Sequence, residues 1–261
     1  MAALASRSLC PVPRHARLAA LALAAALFAA AAGAGAAAAA PRADGSPGGV
    51  LRQFVEAAGK GDASTMWSLL SARSRQRLGP DFGRFRKGSA AELNRGVGTF
   101  ARSSGFTVAL STELSTTWAV AVITGSRSAN GQKEAGAYGV ALRGEGGGWR
   151  LELDGPVKLR ILGPDPGEIV VQPEPQFAVE VKATDDILGG VLYADGKALT
   201  SNAGGLGPKN VTIYAPATIV KKRGVHFGAA IAATATDASA VAWTFGFVPA
   251  TLKPVAVPKP K

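Results

Sequence analysis

Proton transfer near neutral pH needs His, Asp, Glu or Tyr held where its pKa can be tuned. This chain offers few such groups. Its two histidines are His15 and His226, and its one cysteine is Cys10. His15 and Cys10 both fall before an apolar leader run. Cys10 therefore lies on the wrong side of that run for lipid attachment and leaves with the leader. The remainder then has no thiolate nucleophile, no disulfide and no Cys-based metal site. No H-x-x-x-H or Cys–His spacing predicts zinc. The GEGGG stretch, Gly144–Gly148, lacks the lysine and following helix of a phosphate loop. No nucleophile turn lies near His226. The sequence predicts no metal and no cofactor.

What remains is a single carboxylate working with a hydrogen-bond donor, as an isomerase would use. The candidates are Glu113, Glu134 and Asp154, with Tyr138 as the donor. Glu113 and Glu134 fall on polar faces and Asp154 at a strand end, where acids are solvated. Tyr138 shares a face with Val140 and Leu142 and reads as packing. His226, alone in a strand, reads as a structural hydrogen-bonding residue. None of these is predicted to be catalytic.

The second chemical feature is positive charge. SARSRQRLGPDFGRFRK, Ser71–Lys87, carries Arg73, Arg75, Arg77, Arg84, Arg86 and Lys87 against one acid, Asp81. These six form the candidate binding surface. With Arg95, Arg102 and Glu92, the segment from Arg73 to Arg102 has a local balance of +6. Such a patch inside a cell predicts nucleic acid, but the N-terminus argues for export. Arg7, Arg14 and Arg17 precede an apolar run from Leu18 to Ala40 with A-x-A triplets at its end. That is the order of a secretory signal. Residues 1–40 are read as a cleaved signal peptide, or as an N-terminal anchor, since the run reaches the ~20 residues of a membrane span. Losing the three leader arginines lowers the net charge from +11 to +8. The expected location is extracytoplasmic, secreted or membrane-anchored. Expected partners are an envelope protein, anionic lipid or a wall polymer, and not nucleic acid. FGRF lacks the repeated aromatics of a nucleic-acid stacking platform. Heavy use of Ala, Gly and Arg suggests a bacterial source.

The elements that must carry these residues follow from periodicity. Val50, Leu51, Phe54, Val55 and Ala58 mark one helical face. Gly59 and Gly61 stop that helix, and Asp62 caps the next, which holds Met66, Trp67, Leu69 and Leu70. Continued as one helix, it would place Arg73 and Arg77 inside the apolar side, where unpaired charge is costly. A break is therefore predicted at Ser71, capping a short helix ARSRQRL that turns its arginines outward. Their stems can still cover Trp67 or Leu70. SAAE, Ser89–Glu92, fits a capping box for a helix from about Ala90 to Arg102. From Phe106 the period becomes two: FTVALSTEL, TTWAVAVITG, AYGVALR and WRLEL read as an antiparallel meander. Turns are expected at Asn130-Gly131 and GEGGG. Helices followed by a meander define an α+β unit.

FVEAAGKGDASTMWSLLSARSRQRL, followed by strands ending in GGGWRLELDG, resembles the nuclear transport factor 2-like fold, in its bacterial envelope versions. The resemblance covers residues 47–157. It implies a curved antiparallel sheet wrapped around helices as a cone with a pocket, used by some members for catalysis and by others for binding or assembly. Fold alone does not choose between these.

Residues 158–167, rich in Pro and Gly, read as a linker. Beyond them come short alternating segments: FAVEV, GGVLYADGKAL with a strong Asp195-Gly196 turn, NVTIY, VHFGAAIAATATD and VAWTFGFV. Their spacing predicts an all-β sandwich. RGVHFGAAIAATATDASAVAWTFGF resembles the last strands of bacterial immunoglobulin-like domains, with Gly224, His226, Asp237, Trp243 and Phe245 at the family's pattern positions. That resemblance covers 168–249 and implies adhesion, spacing or partner binding. Residues 250–261 form a Pro/Lys-rich tail. The expectation is an exported, non-catalytic envelope binding or assembly protein: a cone-like α+β domain, then an immunoglobulin-like sandwich. The alternative is a small-molecule pocket enzyme of isomerase or cyclase type, or a carrier, using the cone cavity.

Overall fold

The computed structural model describes residues 45–103, 105–129, 132–199, 202–203 and 209–250. The leader, Cys10, the Asn130-Gly131 turn and the tail beyond Ala250 lie outside them. The chain is α+β: short helices come first and largely antiparallel sheets follow.

Helix α1 (Pro47–Lys60) starts at Ser46, whose hydroxyl accepts from the Gly49 amide at 3.1 Å. Pro47 occupies the first turn, where its missing N–H costs nothing. Gly61 ends the helix in the left-handed region at φ 71°, the usual glycine stop. The buried side includes Val50, Leu51, Phe54, Val55 and Ala58, as the pattern predicts. Helix α2 (Ala63–Leu69) is capped by Asp62, which accepts from the Thr65 amide at 3.0 Å. At Leu70 the backbone becomes extended and bridges Leu151. Helix α3 (Ala72–Leu78) then begins with Ser71 as its cap, as expected from the phase of the arginines.

The next stretch differs from expectation. Helix α4 (Phe82–Lys87) is capped by Asp81. The helix predicted over Ala90–Arg102 is two: α5 (Ser89–Arg95) and α6 (Gly98–Arg102). Gly96 ends the first. Gly98 packs so closely on α1 that a Cβ there would lie 2.7 Å from the Ala58 carbonyl oxygen. The capping box does not form. Gly88 is the cap position, and the Ser89 hydroxyl donates instead to the Leu78 carbonyl at 2.7 Å, tying α5 to the end of α3.

The first sheet has the order β1 (Phe106–Glu113), β2 (Trp118–Ala129), β3 (Gln132–Glu145), β4 (Gly148–Glu152), each pair antiparallel. Gly146 and Gly147 turn β3 into β4 with positive φ. The first part of the presumed linker, residues 158–167, is in fact a strand, β5 (Lys158–Gly163). Leu159 and Ile161 alternate there and pair with Val181 and Val179 of β7 (Gln176–Lys182). The Pro/Gly density marks only the turn that follows. Strand β6 (Ile169–Gln172) then joins the other sheet. The remaining strands are β8 (Gly189–Ala194), β9 (Lys197–Ala198), β10 (Asn202–Ala203), β11 (Asn210–Pro216), β12 (Gly224–Ala233) and β13 (Ala238–Pro249). The second sheet runs β10-β11-β7-β5 and the third β6-β13-β12-β8-β9, with β6 parallel to β13.

Among the described residues, three apolar cores separate four layers. The helices bury Leu51, Phe54, Met66, Leu70, Phe85 and Phe100 against Ala121, Ile123 and Leu142 of the first sheet. The second and third sheets enclose Phe177, Val179, Ile213, Trp243, Phe245 and Phe247. Between these lies a core joining the outer faces of the first and third sheets: Trp118, Val120 and Val122 meet Tyr193, Ala229 and Ile231. Strand β2 is therefore buried on both faces, Ala119, Ala121 and Ile123 toward the helices and Trp118, Val120 and Val122 toward the third sheet. Among the described residues no helix is long and apolar enough to cross a membrane.

Candidate functional site

The arginine-bearing segment is held by β4. The Ser71 amide donates to the Leu151 carbonyl at 2.9 Å. Buried Ser74 accepts from the Leu153 amide at 2.7 Å. The Ala72 amide, at the free end of α3, donates to the Glu145 carboxylate at 3.1 Å. These bonds fix the rotation of α3 and so the direction of Arg73 and Arg77, which are four residues apart on one helical side.

Both point across the layers rather than outward. Arg77 is 23% exposed and divides its guanidinium between two acids. One nitrogen donates to Glu152 at 2.8 Å, and the other donates to Asp237 in the turn between β12 and β13. Arg73 reaches the same Asp237 at 3.2 Å and the Thr236 carbonyl at 2.9 Å. Arg143 of β3 donates to the second oxygen of Glu152 at 3.0 Å and to the Thr236 carbonyl. Its guanidinium lies 4.3 Å from the centre of the Trp118 ring, a cation–π distance. Glu152 is fully buried and would be costly without both arginines. Gly155 leaves room for the clamp: a Cβ there would lie 3.2 Å from the Arg77 Nη1.

Burial alone would raise the Asp237 carboxyl. The hydrogen bonds from Thr236 and Arg77, with the charges of Arg77 and Arg73, outweigh it and hold the group below its ordinary value. Burial alone would likewise lower Arg77, and Asp237 and Glu152 reverse the sign. With Glu145 3.7 Å from Arg143, three arginines meet three acids, and the result is a charge-balanced joint between the helical layer and the far hairpin.

The other candidates separate from this joint. Arg75 lies over Trp67, 5.8 Å from the ring centre, and donates to the carbonyls of Trp67 and Ser68 at 3.0 Å each. Arg84 is 74% exposed beside Asp81 at 3.6 Å. Arg86 and Lys87 are exposed, and among the described residues neither forms an ion pair. Phe82, also exposed, stands edge-on to Trp67. The six-residue surface thus divides: Arg73, Arg75 and Arg77 are spent within the protein, while Arg84, in an exposed pair with Asp81, and Arg86 and Lys87, with no ion pair among the described residues, face solvent with Phe82 among them. Glu152 and Arg143 are site residues that sequence reasoning missed, and Asp237, named only as a pattern position, was not read as the partner of Arg77. The signal at Asp237 was an acid in a hairpin turn whose neighbours are all small or hydroxylic.

The carboxylates proposed for acid–base work lie outside the apolar interior. Glu113 accepts from the Trp149 indole at 3.2 Å, and Asp154 pairs with Lys158 at 3.4 Å. Glu134 is exposed. Burial pushes the Tyr138 hydroxyl up to about 12. The two nitrogens of His226 face Asp195 at 2.6 Å and the Lys222 carbonyl at 2.8 Å. Both are committed to acceptors, a structural arrangement. A surface cleft of about 400 Å³ lies among Glu56, Lys60, Ala101, Arg102 and Phe106. The C-terminal ends of α1 and α6 meet there, and Arg102 donates to the carbonyls of Gly59 and Asn94. Its cations therefore cap helices.

No protein-family model matches the chain, and no curated protein matches it. Solved structures give partial overlaps. An endo-beta-1,4-mannanase from Thermotoga petrophila overlaps at 10% identity and TM-score 0.29, over 36% of this chain and 20% of that one. A titin structure overlaps at 9% identity and TM-score 0.26, over 51% of this chain and 91% of that one. A polysaccharide lyase overlaps at 8% identity and TM-score 0.25, over 52% and 23%. The chain thus spans about a fifth of the mannanase. Overlaps this weak carry no argument about activity.

Proposed function

We propose that this is an exported, non-catalytic cell-envelope protein of the binding or assembly type. In this reading residues 47–157 form a cone-like domain of the nuclear transport factor 2-like kind, and residues 168–249 an immunoglobulin-like sandwich. The observation that carries the proposal is the division of the basic residues. Arg73 and Arg77 lock the layers together, while Arg84, Arg86 and Lys87 project beside Phe82 from a helix fixed on a rigid base. Exposed cations around an aromatic ring suit an anionic envelope surface, lipid or wall polymer. The helix-facing interior supports the non-catalytic reading, because Phe54, Met66, Leu70 and Phe85 fill it at full burial.

The test is co-sedimentation with phosphatidylglycerol vesicles and with an anionic wall polymer at low salt. The Arg84→Ser, Arg86→Ser, Lys87→Ser variant is compared with the parent. The proposal expects binding that salt weakens and the triple variant loses. Equal binding by both proteins, or none to either target, overturns it. Replacing Arg73 and Arg77 would not serve, since their loss breaks the joint.

A further inference from the structure

Among the described residues β6 is an outermost strand of the third sheet, with β13 on its one paired side. Its Ile169 and Val171 are 69% and 61% exposed. The hydrogen bonds to β13 settle where its backbone points. The Gly246 amide donates to the Glu168 carbonyl at 2.7 Å, and the Ala250 amide to the Gln172 carbonyl at 3.3 Å. Backbone groups of successive strand residues alternate between the two edges. The even-numbered residues of β6 therefore address β13. The amides and carbonyls of Ile169 and Val171 address the outer edge. A bare aliphatic edge of this kind is one that proteins cover.

The segment with the shortest path to this edge belongs to the chain itself. Strand β13 runs parallel to β6 and delivers Ala250 to the Gln172 end of it. Residues 251–261, TLKPVAVPKPK, follow and lie outside the described residues. Crossing from β13 to the far side of β6 covers two strand spacings, about 10 Å. The four residues from Thr251 to Pro254 can span about 13 Å. A chain that crosses there returns antiparallel to β6. Pro254, Pro258 and Pro260 are all even-numbered. In an extended strand their missing N–H groups fall on one edge, and the amides of Val255, Val257 and Lys259 on the other. Proline is tolerated in an edge strand when its nitrogen faces solvent. This segment can therefore close a sheet through its odd-numbered residues.

We propose that residues 255–257 add to the third sheet beyond β6, with Val255 paired to Val171 and Val257 to Ile169. Directly paired residues project from the same face, so the two valines cover the two exposed aliphatic side chains. The same register carries Lys259 and Lys261 toward exposed Asp165 and Glu168 at the other end of β6. The added strand lies in the plane of the third sheet and leaves the face packed on the first sheet undisturbed.

The experiment is amide hydrogen exchange, read residue by residue by NMR, on the chain lacking its leader and on the same chain ending at Ala250. Ile169 and Val171 should exchange at least about tenfold more slowly in the longer protein, as amides in a closed hydrogen bond do. Val170, whose amide faces β13, should exchange alike in both. Two proline variants separate pairing from mere proximity. Val255→Pro removes an amide that faces β6 and should abolish the protection. Ala256→Pro puts its nitrogen on the outer edge and should keep it. Equal exchange of Ile169 and Val171 in the two chains overturns the proposal. So does an equal response to the two proline variants. Protection that rises with protein concentration belongs to a second molecule and overturns it as well.

Discussion

Arg77 and Asp237, 160 residues apart in sequence, form a charge-assisted hydrogen bond between helix α3 and the turn joining β12 to β13. The same guanidinium holds buried Glu152 at 2.8 Å. One side chain thus closes the helical layer onto the far sheet. Removing it leaves two acids short of a partner in a site that water reaches poorly. Arg77→Ala is expected to cost about 3 kcal/mol, the lower end for a broken buried pair, because Arg73 and Arg143 stay in place. Arg77→Lys should recover only part, since one ammonium cannot span both acids as a planar fork does. Urea unfolding measures both. An unchanged midpoint in Arg77→Ala would show that the joint adds nothing to stability.

The joint also sets an acid response. Asp237 is held below its ordinary value in the folded chain. A depressed carboxyl contributes stability above its unfolded pKa, and that contribution disappears as pH falls through the folded one. Asp237→Asn removes the charge at every pH. The stability difference between parent and Asp237→Asn should therefore be constant near neutrality and shrink as pH drops below about 4, the ordinary Asp value. Chemical unfolding across that range tests it. A difference that grows toward acid would reverse the assigned sign.

Much of this arrangement is legible in the chain. The helical phase of Arg73 and Arg77 against Met66, Trp67 and Leu70 demands a break, and Ser71 supplies the cap. The Asp195-Gly196 and GEGGG turns follow from glycine chemistry alone. What periodicity does not encode is the partner. Trp118, Val120 and Val122 read as one buried face, but only three-dimensional stacking shows that they face the third sheet and not the helices. The intervening Ala119, Ala121 and Ile123 carry the hint, since a strand apolar on both faces is buried on both. The direction of the arginines fails for the same reason. Outward is the inexpensive choice for a lone helix, and only the distant turn with Asp237 makes inward favourable. The linker reading fails because Pro and Gly mark the corner after β5 rather than the segment before it.

The core between the first and third sheets contains one polar flaw. The Tyr193 hydroxyl is buried there without a hydrogen-bond partner among the described residues, and burial drives its pKa upward. An unsatisfied buried hydroxyl costs about 1–3 kcal/mol, which its removal recovers in part. Tyr193→Phe keeps the ring and drops the oxygen. It should be at least as stable as the parent, and up to about 1 kcal/mol more stable, by thermal or urea unfolding. A clear loss would mean that the hydroxyl has a partner.

Gly228 of β12 tests the sandwich core in the opposite direction, by adding one carbon. It lies under the Trp243 indole: a Cβ there would sit 2.5 Å from Cζ2, 2.6 Å from Cε2 and 3.0 Å from the Phe177 ring. Trp243 cannot easily retreat, because Phe177 stands 5.3 Å away, centre to centre, with Phe245 at the same distance beyond it. Both phenylalanines are fully buried. Gly228→Ala should therefore destabilise by about 2–3 kcal/mol, the upper part of the overpacking range, although alanine suits a strand better than glycine does. Gly228→Ala with Trp243→Leu relieves the clash, and should be less destabilised than the sum of its two single changes. Strict additivity would show that Gly228 is required by the backbone and not by the ring above it.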